Sequence, residues 1–240
     1  VEKVHGMPTG PGAAVGRAGH VALQHVYGGI AKEGAVDLGL AYLRSIPDFE
    51  INLGKKANTA EEKKQKRALM EQEYLQAIGF YLARPPKYQV IAIEHKAMAA
   101  VDGLALPIKA VSDLVVRSKG SSRSLDIVDH KFVDNFSALG KDKTLFLIQA
   151  IFNYYTVKHE FGKPVKRFIL HECRKRKNKD GGPQMRRYVI EYDDCGNAFE
   201  VFHRLVNDAT RHLALTQVFL PNPSDMFEGE NSFDIYRLGL

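Results

Sequence analysis

Ala110-Val-Ser-Asp-Leu-Val-Val116 and Leu125-Asp-Ile-Val-Asp-His-Lys131, joined through the polar turn Lys119-Gly-Ser-Ser-Arg123, decide how this chain reads. Both runs are rich in Val, Leu and Ile, the composition of half-buried strands. Folded as a hairpin about Ser121, they place Asp113 directly opposite Asp129, with Cβ atoms roughly 5 Å apart. Side chains alternate along a strand, so Asp129 and Lys131 leave the same face. Two carboxylates and an amine then converge on one point, and like charges so placed repel unless a cation lies between them. An ordinary solvated hairpin could also carry these residues on its edge. Here, however, the aspartates interrupt apolar runs, and burying a carboxylate is costly unless a cation or hydrogen-bond donors compensate it.

Working outward, Tyr88–Ala97 reads as a preceding strand, with the hairpin strands spanning Pro107–Arg117 and Ser124–Val133. Lys143–Phe161 reads as a helix with Leu145, Ile148, Phe152 and Thr156 on one stripe. Val165–Arg174 is a further strand, Arg174–Arg187 a basic excursion, Tyr188–Tyr192 the returning strand, and Asn197–Val218 a helix; the tail from Pro221 looks irregular. Upstream the chain is helical. After a Gly- and Pro-rich opening, Ala13–Gly28 places Val15, Ala18, Ala22 and Leu23 on one side, and Ala35–Arg44 is a shorter helix. Thr59-Ala-Glu-Glu62 is a capping box that starts a helix running to about Leu82, before Pro85-Pro86 stops it. The predicted class is α/β (α+β), with a central mixed sheet of four to five strands flanked by helices. One domain over residues 1–240 is expected: a helical N-terminal part (1–86), a core (87–175), and a basic hairpin, helix and tail (176–240).

At 240 residues and 45% hydrophobic content, the chain is long and apolar enough for one sizeable core. Its apolar runs, such as Leu145–Ile151, are far too short for a membrane span, and no leader pattern opens it. Cys173 and Cys195 are the only cysteines, so a four-cysteine zinc or iron–sulfur site is excluded and a reduced cytoplasm is expected. The net charge of +6 suits a polyanionic partner without establishing one.

Ile127-Val-Asp-His-Lys131 resembles the Asp-x-Lys signature of the PD-(D/E)XK nucleases, with Asp113 as the aspartate of the preceding strand. More narrowly, the chain is similar to the RecB/AddB branch, which includes the CRISPR-adaptation nucleases and their phage-encoded relatives. That branch has a Gly-x-x-x-His on an upstream helix, matched by Gly16-Arg-Ala-Gly-His20, and a glutamate ending an early strand, matched by Glu94 in Val90-Ile-Ala-Ile-Glu94. Its glutamine-led helix is matched by Gln149 in Leu147-Ile-Gln-Ala-Ile151. The matches run in order over residues 13–175. Two departures stand out. Asn153 occupies the place of a tyrosine four residues after the glutamine, with Tyr154 and Tyr155 just beyond. The Phe219-Leu-Pro-Asn-Pro223 lead-in is followed by Met226 and Phe233 rather than iron–sulfur cysteines, so no cluster is expected.

The resemblance implies a restriction-endonuclease-like core and phosphodiester hydrolysis assisted by one or two Mg2+ or Mn2+ ions. Asp113, Asp129, His20 and the main-chain carbonyl of His130 would be the metal ligands. Lys131 would orient the nucleophile or stabilise developing charge, with Glu94 in the site and Gln149 steering Lys131 or the DNA backbone. Arg174, Lys175, Arg176, Lys177, Lys179, Arg186 and Arg187 form the densest basic patch, suited to phosphate contacts, and Tyr154 joins them as a DNA-binding candidate. Lys55-Lys56 and Lys63–Arg67 are weaker candidates. The expected substrate is single-stranded DNA or duplex ends, in recombination, repair or phage DNA processing, alongside a recombination or helicase partner and away from any membrane. The expected setting is the cytoplasm of a bacterial or phage-infected cell. A non-catalytic nucleic-acid-binding relative and a restriction- or junction-type endonuclease of the same fold are the alternatives.

Overall fold

The computed structural model describes residues 8–54, 59–121, 123–137 and 143–215. The opening residues, Lys55-Lys56 and everything from Thr216, including the Phe219–Pro223 segment, lie outside them. Helix α1 (Pro11–Tyr27) starts on a proline, whose missing N–H is one that a first turn leaves unpaired anyway. It buries the expected stripe Val15, Ala18, Ala22 and Leu23, and Ala14 with it. Helix α2 (Lys32–Ser45) packs on it. Helix α3 (Ala60–Ala83) opens on the Thr59 capping box: Glu62 N–H donates to Thr59 Oγ1 at 3.2 Å, and Thr59 N–H to the Glu62 carboxylate at 2.9 Å. It ends just before Pro85, as a prolyl ring requires.

Five strands follow: β1 (Val90–Ala99), β2 (Ile108–Arg117), β3 (Leu125–Val133), β4 (Val165–Arg174) and β5 (Met185–Glu191). They form one mixed sheet in the order β1-β2-β3-β4-β5. β1, β2 and β3 make an antiparallel meander, β4 is parallel to β3, and β5 is antiparallel to β4. A parallel pair needs a crossover, and helix α4 (Lys143–Phe161) supplies it. Helix α5 (Gly196–Leu215) packs on α4. The α/β class with a mixed sheet flanked by helices is therefore as expected from the sequence. In the β2–β3 ladder Leu114 pairs with Val128 and Arg117 with Leu125, the register of a hairpin about Ser121.

Two elements differ from the sequence reading. β5 begins at Met185 because its ladder runs back to Cys173, which takes Arg186 and Arg187 out of the excursion and into a strand. Among the α4 side chains that are described, which leave out Leu145, the buried ones are Ala150, Ile151, Asn153, Thr156 and Val157, while Ile148 and Phe152 are half-buried. The helix has two apolar sides: one meets the sheet, and Phe152 turns to Phe202 of α5 at 5.1 Å. Among the described residues no helix is long and apolar enough to cross a membrane.

The sheet separates two layers. Val115, Ile127 and Leu170 pack with α4, while Leu114, Val128 and Ile169 pack with Tyr27 and Tyr88 on the side of α1 and α3. On that second side His130 and His171 stack with ring centroids 5.8 Å apart, and the Tyr88 hydroxyl lies 2.6 Å from His171 Nε2. Burial, reinforced by His130 and Arg187, pushes the His171 pKa down from 6.5 to about 3. A histidine held neutral only in the folded state costs stability as pH falls through its unfolded value near 6.5. Between pH 7 and pH 5 that cost is about 2 kcal/mol. In urea titrations at these two pH values, His171→Phe is expected to lose less stability by about that amount; equal losses would contradict it.

Candidate metal centre

Beyond a bulge at Val90/Ala92 in β1, both β1 and β2 break their in–out alternation at one level. Ala92 and Val115 pack on the α4 side, and Ile93 and Leu114 on the α1 side. The next pair in register, Glu94 opposite Asp113, again reaches toward α1, since both approach His20. Beyond it Ser112 and His95 return to α4: the Ser112 hydroxyl donates to Asn153 Oδ1 at 2.6 Å, and the His95 ring lies 5.0 Å from Phe161. Two consecutive residues on one face of a strand require a kink. Glu94 makes it with φ +46°, the one non-glycine residue of positive φ among the described residues. Such a conformation costs roughly 1–2 kcal/mol for an L-residue, and strain of this kind concentrates at functional sites.

His20 arrives from α1, which lies close on β3 because Gly19 leaves room. A Cβ at Gly19 would stand 2.2 Å from the Phe132 ring, whereas one at Gly16 would meet nothing within 4 Å. The glycine that the packing needs is therefore Gly19, next to the histidine, and not the leading glycine of the motif. Gly19→Ala is expected to destabilise by about 1–3 kcal/mol through overpacking and to displace His20. Gly16→Ala is expected to stabilise by up to about 1 kcal/mol through helix propensity. Thermal unfolding of the two variants checks the pair, and similar midpoints would refute the packing argument.

His20 Nδ1 lies 3.3 Å from Asp113 Oδ2 and 3.9 Å from Glu94 Oε1. One ligand atom from each of His20, Glu94 and Asp113 falls within 4.8 Å of the others. Asp113 Oδ2 also accepts the main-chain N–H of His130 at 2.7 Å. On the α4 side, Asp129 and Lys131 share a face as expected, with Lys131 Nζ 2.8 Å from Asp129 Oδ2, close enough for an ion pair though poorly directed for a hydrogen bond. Gln149 Nε2 donates to Asp129 Oδ1 at 2.6 Å, and Asn153 Nδ2 to the Gln149 carbonyl at 3.0 Å.

The sequence placed Asp113 and Asp129 on one face as joint ligands. In the structure the break in β2 turns Asp113 toward His20 and Glu94, while Asp129 is held by Lys131 and Gln149. The group of ligand atoms within 4.8 Å is His20, Glu94 and Asp113, and Asp129 lies outside it. His130 reaches Asp113 with its main-chain N–H and its ring.

The groups nevertheless share one electrostatic neighbourhood. Burial alone would raise the Asp113 carboxyl, but hydrogen bonds and charge from His130 and His20 hold it well below the ordinary carboxylate range. Asp129 is raised by burial and by the charge of Asp113, with Lys131 opposing. Glu94 is raised by burial and then by Asp113. His20 would be lowered by burial, yet the Asp113 hydrogen bond and charge, with Asp129 beyond, leave it raised. Three carboxylates thus crowd one lysine and one histidine, an arrangement that a cation would relieve. Oxygen donors with a single imidazole suit Mg2+ or Mn2+ better than a softer metal.

The basic candidates divide. Lys175 is 4% exposed and pairs with Asp134 at 3.0 Å, so it is not at the surface. Arg176 Nε donates to Glu73 of α3 at 2.7 Å, tying the strand end to the helical layer. Arg186 and Arg174 lie over the Phe136 ring at 4.5 Å and 5.8 Å, and the charge of Arg187 acts on Tyr88 and His171. Lys177 and Lys179 are exposed. Tyr154 sits 4.8 Å from Tyr192 and 4.9 Å from Phe199, inside the aromatic cluster that joins α4 to α5. The sequence reading passed over Glu172, which is fully buried beside Lys131 in the β3–β4 register and accepts both N–H and O–H of Ser137. Glu172 interrupts the apolar strand β4 as Asp129 interrupts β3, so the same test would have found it. A search against protein-family models finds no match to this chain, and neither does a search of the curated proteins.

Proposed function

We propose that the chain is a divalent-metal-dependent nuclease of the PD-(D/E)XK type that hydrolyses phosphodiester bonds in DNA. The observation that carries this reading is the coincidence, at one kink, of the cluster His20, Glu94 and Asp113 with the Asp129–Lys131 pair on the next strand. A cation contacts its oxygen ligands at about 2.0–2.6 Å, so ligand atoms already within 4.8 Å of one another need only a small inward movement. His20, Glu94 and Asp113 would hold the ion, with Asp129 adjacent. A bound Mg2+ or Mn2+ supplies Lewis-acid polarisation of the phosphate and a more acidic water.

The chain's own residues do the rest. As water adds to phosphorus and the leaving oxygen departs, negative charge accumulates on the phosphoryl oxygens. Lys131, its side chain 35% exposed and anchored through Asp129, presents a positive charge to them. Gln149 fixes Asp129 from α4, and so fixes the direction from which the ammonium is offered. The exposed Lys177 and Lys179, with the arginines of β4 and β5, would hold the DNA backbone through phosphates and without base reading. We place the activity on single strands or duplex ends, in recombination, repair or phage DNA processing with a helicase or recombination partner. Cys173 and Cys195 are buried and not joined in a disulfide, which suits a reduced bacterial or phage-infected cytoplasm.

The experiment is digestion of linear and circular DNA, single- and double-stranded, in manganese and in EDTA, beside Lys131→Ala. Cutting of linear substrates that EDTA and the substitution both abolish is the expected result. Cutting of circular duplex would favour the restriction- or junction-type endonuclease. DNA binding by both proteins without cutting would replace the proposal with a binding module.

A further inference from the structure

His130 stands between Asp129 and Lys131 in β3, and its side chain projects to the opposite face, into the layer of α1 and α3. Its side chain is 2% exposed. Tyr27 and His171 both stack on the ring, with centroids 6.0 Å and 5.8 Å away and interplanar angles of 27° and 17°. The ring orientation is therefore fixed by packing. Both ring nitrogens face polar atoms: Nε2 lies 2.8 Å from the Tyr81 hydroxyl and Nδ1 3.4 Å from Asp113 Oδ2. The Tyr81 hydroxyl is 2.7 Å from that of Tyr27, which also reaches the Pro86 carbonyl at 3.1 Å.

Hydrogen positions follow from what each group can offer. An ionised Asp113 only accepts, so a bare Nδ1 would set two lone pairs against each other. The proton belongs on Nδ1. Nε2 meets the Tyr81 hydroxyl on the ring's other side, and that hydroxyl meets Tyr27. Burial raises both phenols, that of Tyr27 to about 12, so both remain protonated donors at neutral pH. The side chains form one chain of polar contacts, from Tyr27 to Tyr81 to His130 to Asp113, and the Tyr27 hydroxyl donates to the Pro86 carbonyl at its far end. The main-chain N–H of His130 adds the shorter bond to the same carboxylate oxygen, at 2.7 Å.

We infer that Tyr27, Tyr81 and His130 are positioning residues, a buried hydrogen-bond relay that orients the Asp113 carboxylate for a divalent cation. This rests on the metal reading above. Groups that orient a metal's ligands commonly change its affinity by about 10–100-fold when removed. A histidine and two tyrosines serving only as core would change stability and leave the affinity of the folded protein untouched.

The test measures Mn2+ affinity calorimetrically, with thermal midpoints, for the wild type, Tyr81→Phe, His130→Leu and His130→Asn. Asparagine can place an amide N–H near the Nδ1 position. The relay is expected to give about tenfold weaker binding in Tyr81→Phe and His130→Leu, and affinity closer to wild type in His130→Asn. Unchanged affinity in Tyr81→Phe and His130→Leu, with wild type binding normally, overturns the relay and spares the metal site. No Mn2+ binding by the wild type overturns both. Should a variant not fold, imidazole 15N shifts of the wild type decide the matter: a protonated His130 Nδ1 supports the relay, and a bare one overturns it.

Discussion

Lys131→Ala is expected to slow manganese-dependent DNA cleavage by about 100- to 1,000-fold, the loss typical when one preorganised stabiliser of transition-state charge is removed. Lys131 is the cation paired with Asp129, and Asp129 is in turn held by Gln149. Its removal also strips the counterion from a carboxylate that is 5% exposed. Asp129 already sits above the ordinary carboxylate value and would take up a proton more readily. Loss of one partner of a fully buried pair costs about 3–5 kcal/mol, but the lysine is a third exposed, so about 1–2 kcal/mol is expected here. The signature is therefore a large fall in rate with a modest fall in thermal midpoint. Lys131→Arg is not expected to restore the rate, because a planar guanidinium does not replace a compact ammonium. Release of end label under saturating Mn2+, with unfolding midpoints alongside, checks both. A rate within threefold of wild type would remove Lys131 from the chemistry.

Asp113→Asn is expected to abolish the stabilisation that Mn2+ gives the wild type. A ligand at 100 times its dissociation constant stabilises the folded state by about 2.7 kcal/mol. For a chain of this length that corresponds to roughly 5–10 °C in the midpoint. Asp113 is the one acid in contact with both His20 and the His130 N–H. In the cation-free protein the substitution has opposing effects: His20 loses its partner, and Glu94 and Asp129 lose a repulsive neighbour. Its effect without metal is accordingly smaller than its effect on the metal response. The His20–Asp113 pair also sets a pH window. The Asp113 contribution is present above its unfolded value near 3.8 and lost as pH falls. That of His20 is present below 6.5 and lost as pH rises through its raised folded value. A midpoint equally responsive to Mn2+ in Asp113→Asn would place the ion elsewhere.

Much of this was legible in the residues. The β2–β3 register follows from two apolar runs about one polar turn, and the capping box at Thr59 and the prolines after α3 mark that helix's ends. The kink at Glu94 and Asp113 was not legible. Strict alternation sends Asp113 to the face of Asp129, and glutamate is not a residue type that announces positive φ. The kink groups His20, Glu94 and Asp113 within 4.8 Å and leaves Asp129 beside them, held by Lys131 and Gln149. The partners of the basic run from Arg174 were hidden for a different reason. Charge alone does not reveal distant partners, and Arg176 finds Glu73, 103 positions away, while Lys175 is buried against Asp134. The aromatic contact of the half-buried Tyr154 with α5 was not legible either, because it depends on how α5 packs on α4.

The central claim, a divalent cation held where β1 and β2 kink beneath α1, is tested most directly by anomalous X-ray scattering from crystals soaked in Mn2+. The expected result is one strong peak within about 2.0–2.6 Å of His20, Glu94 and Asp113, absent in Asp113→Asn. A peak confined to other carboxylates, or none at this site in crystals of a protein that still cleaves DNA, would contradict the account.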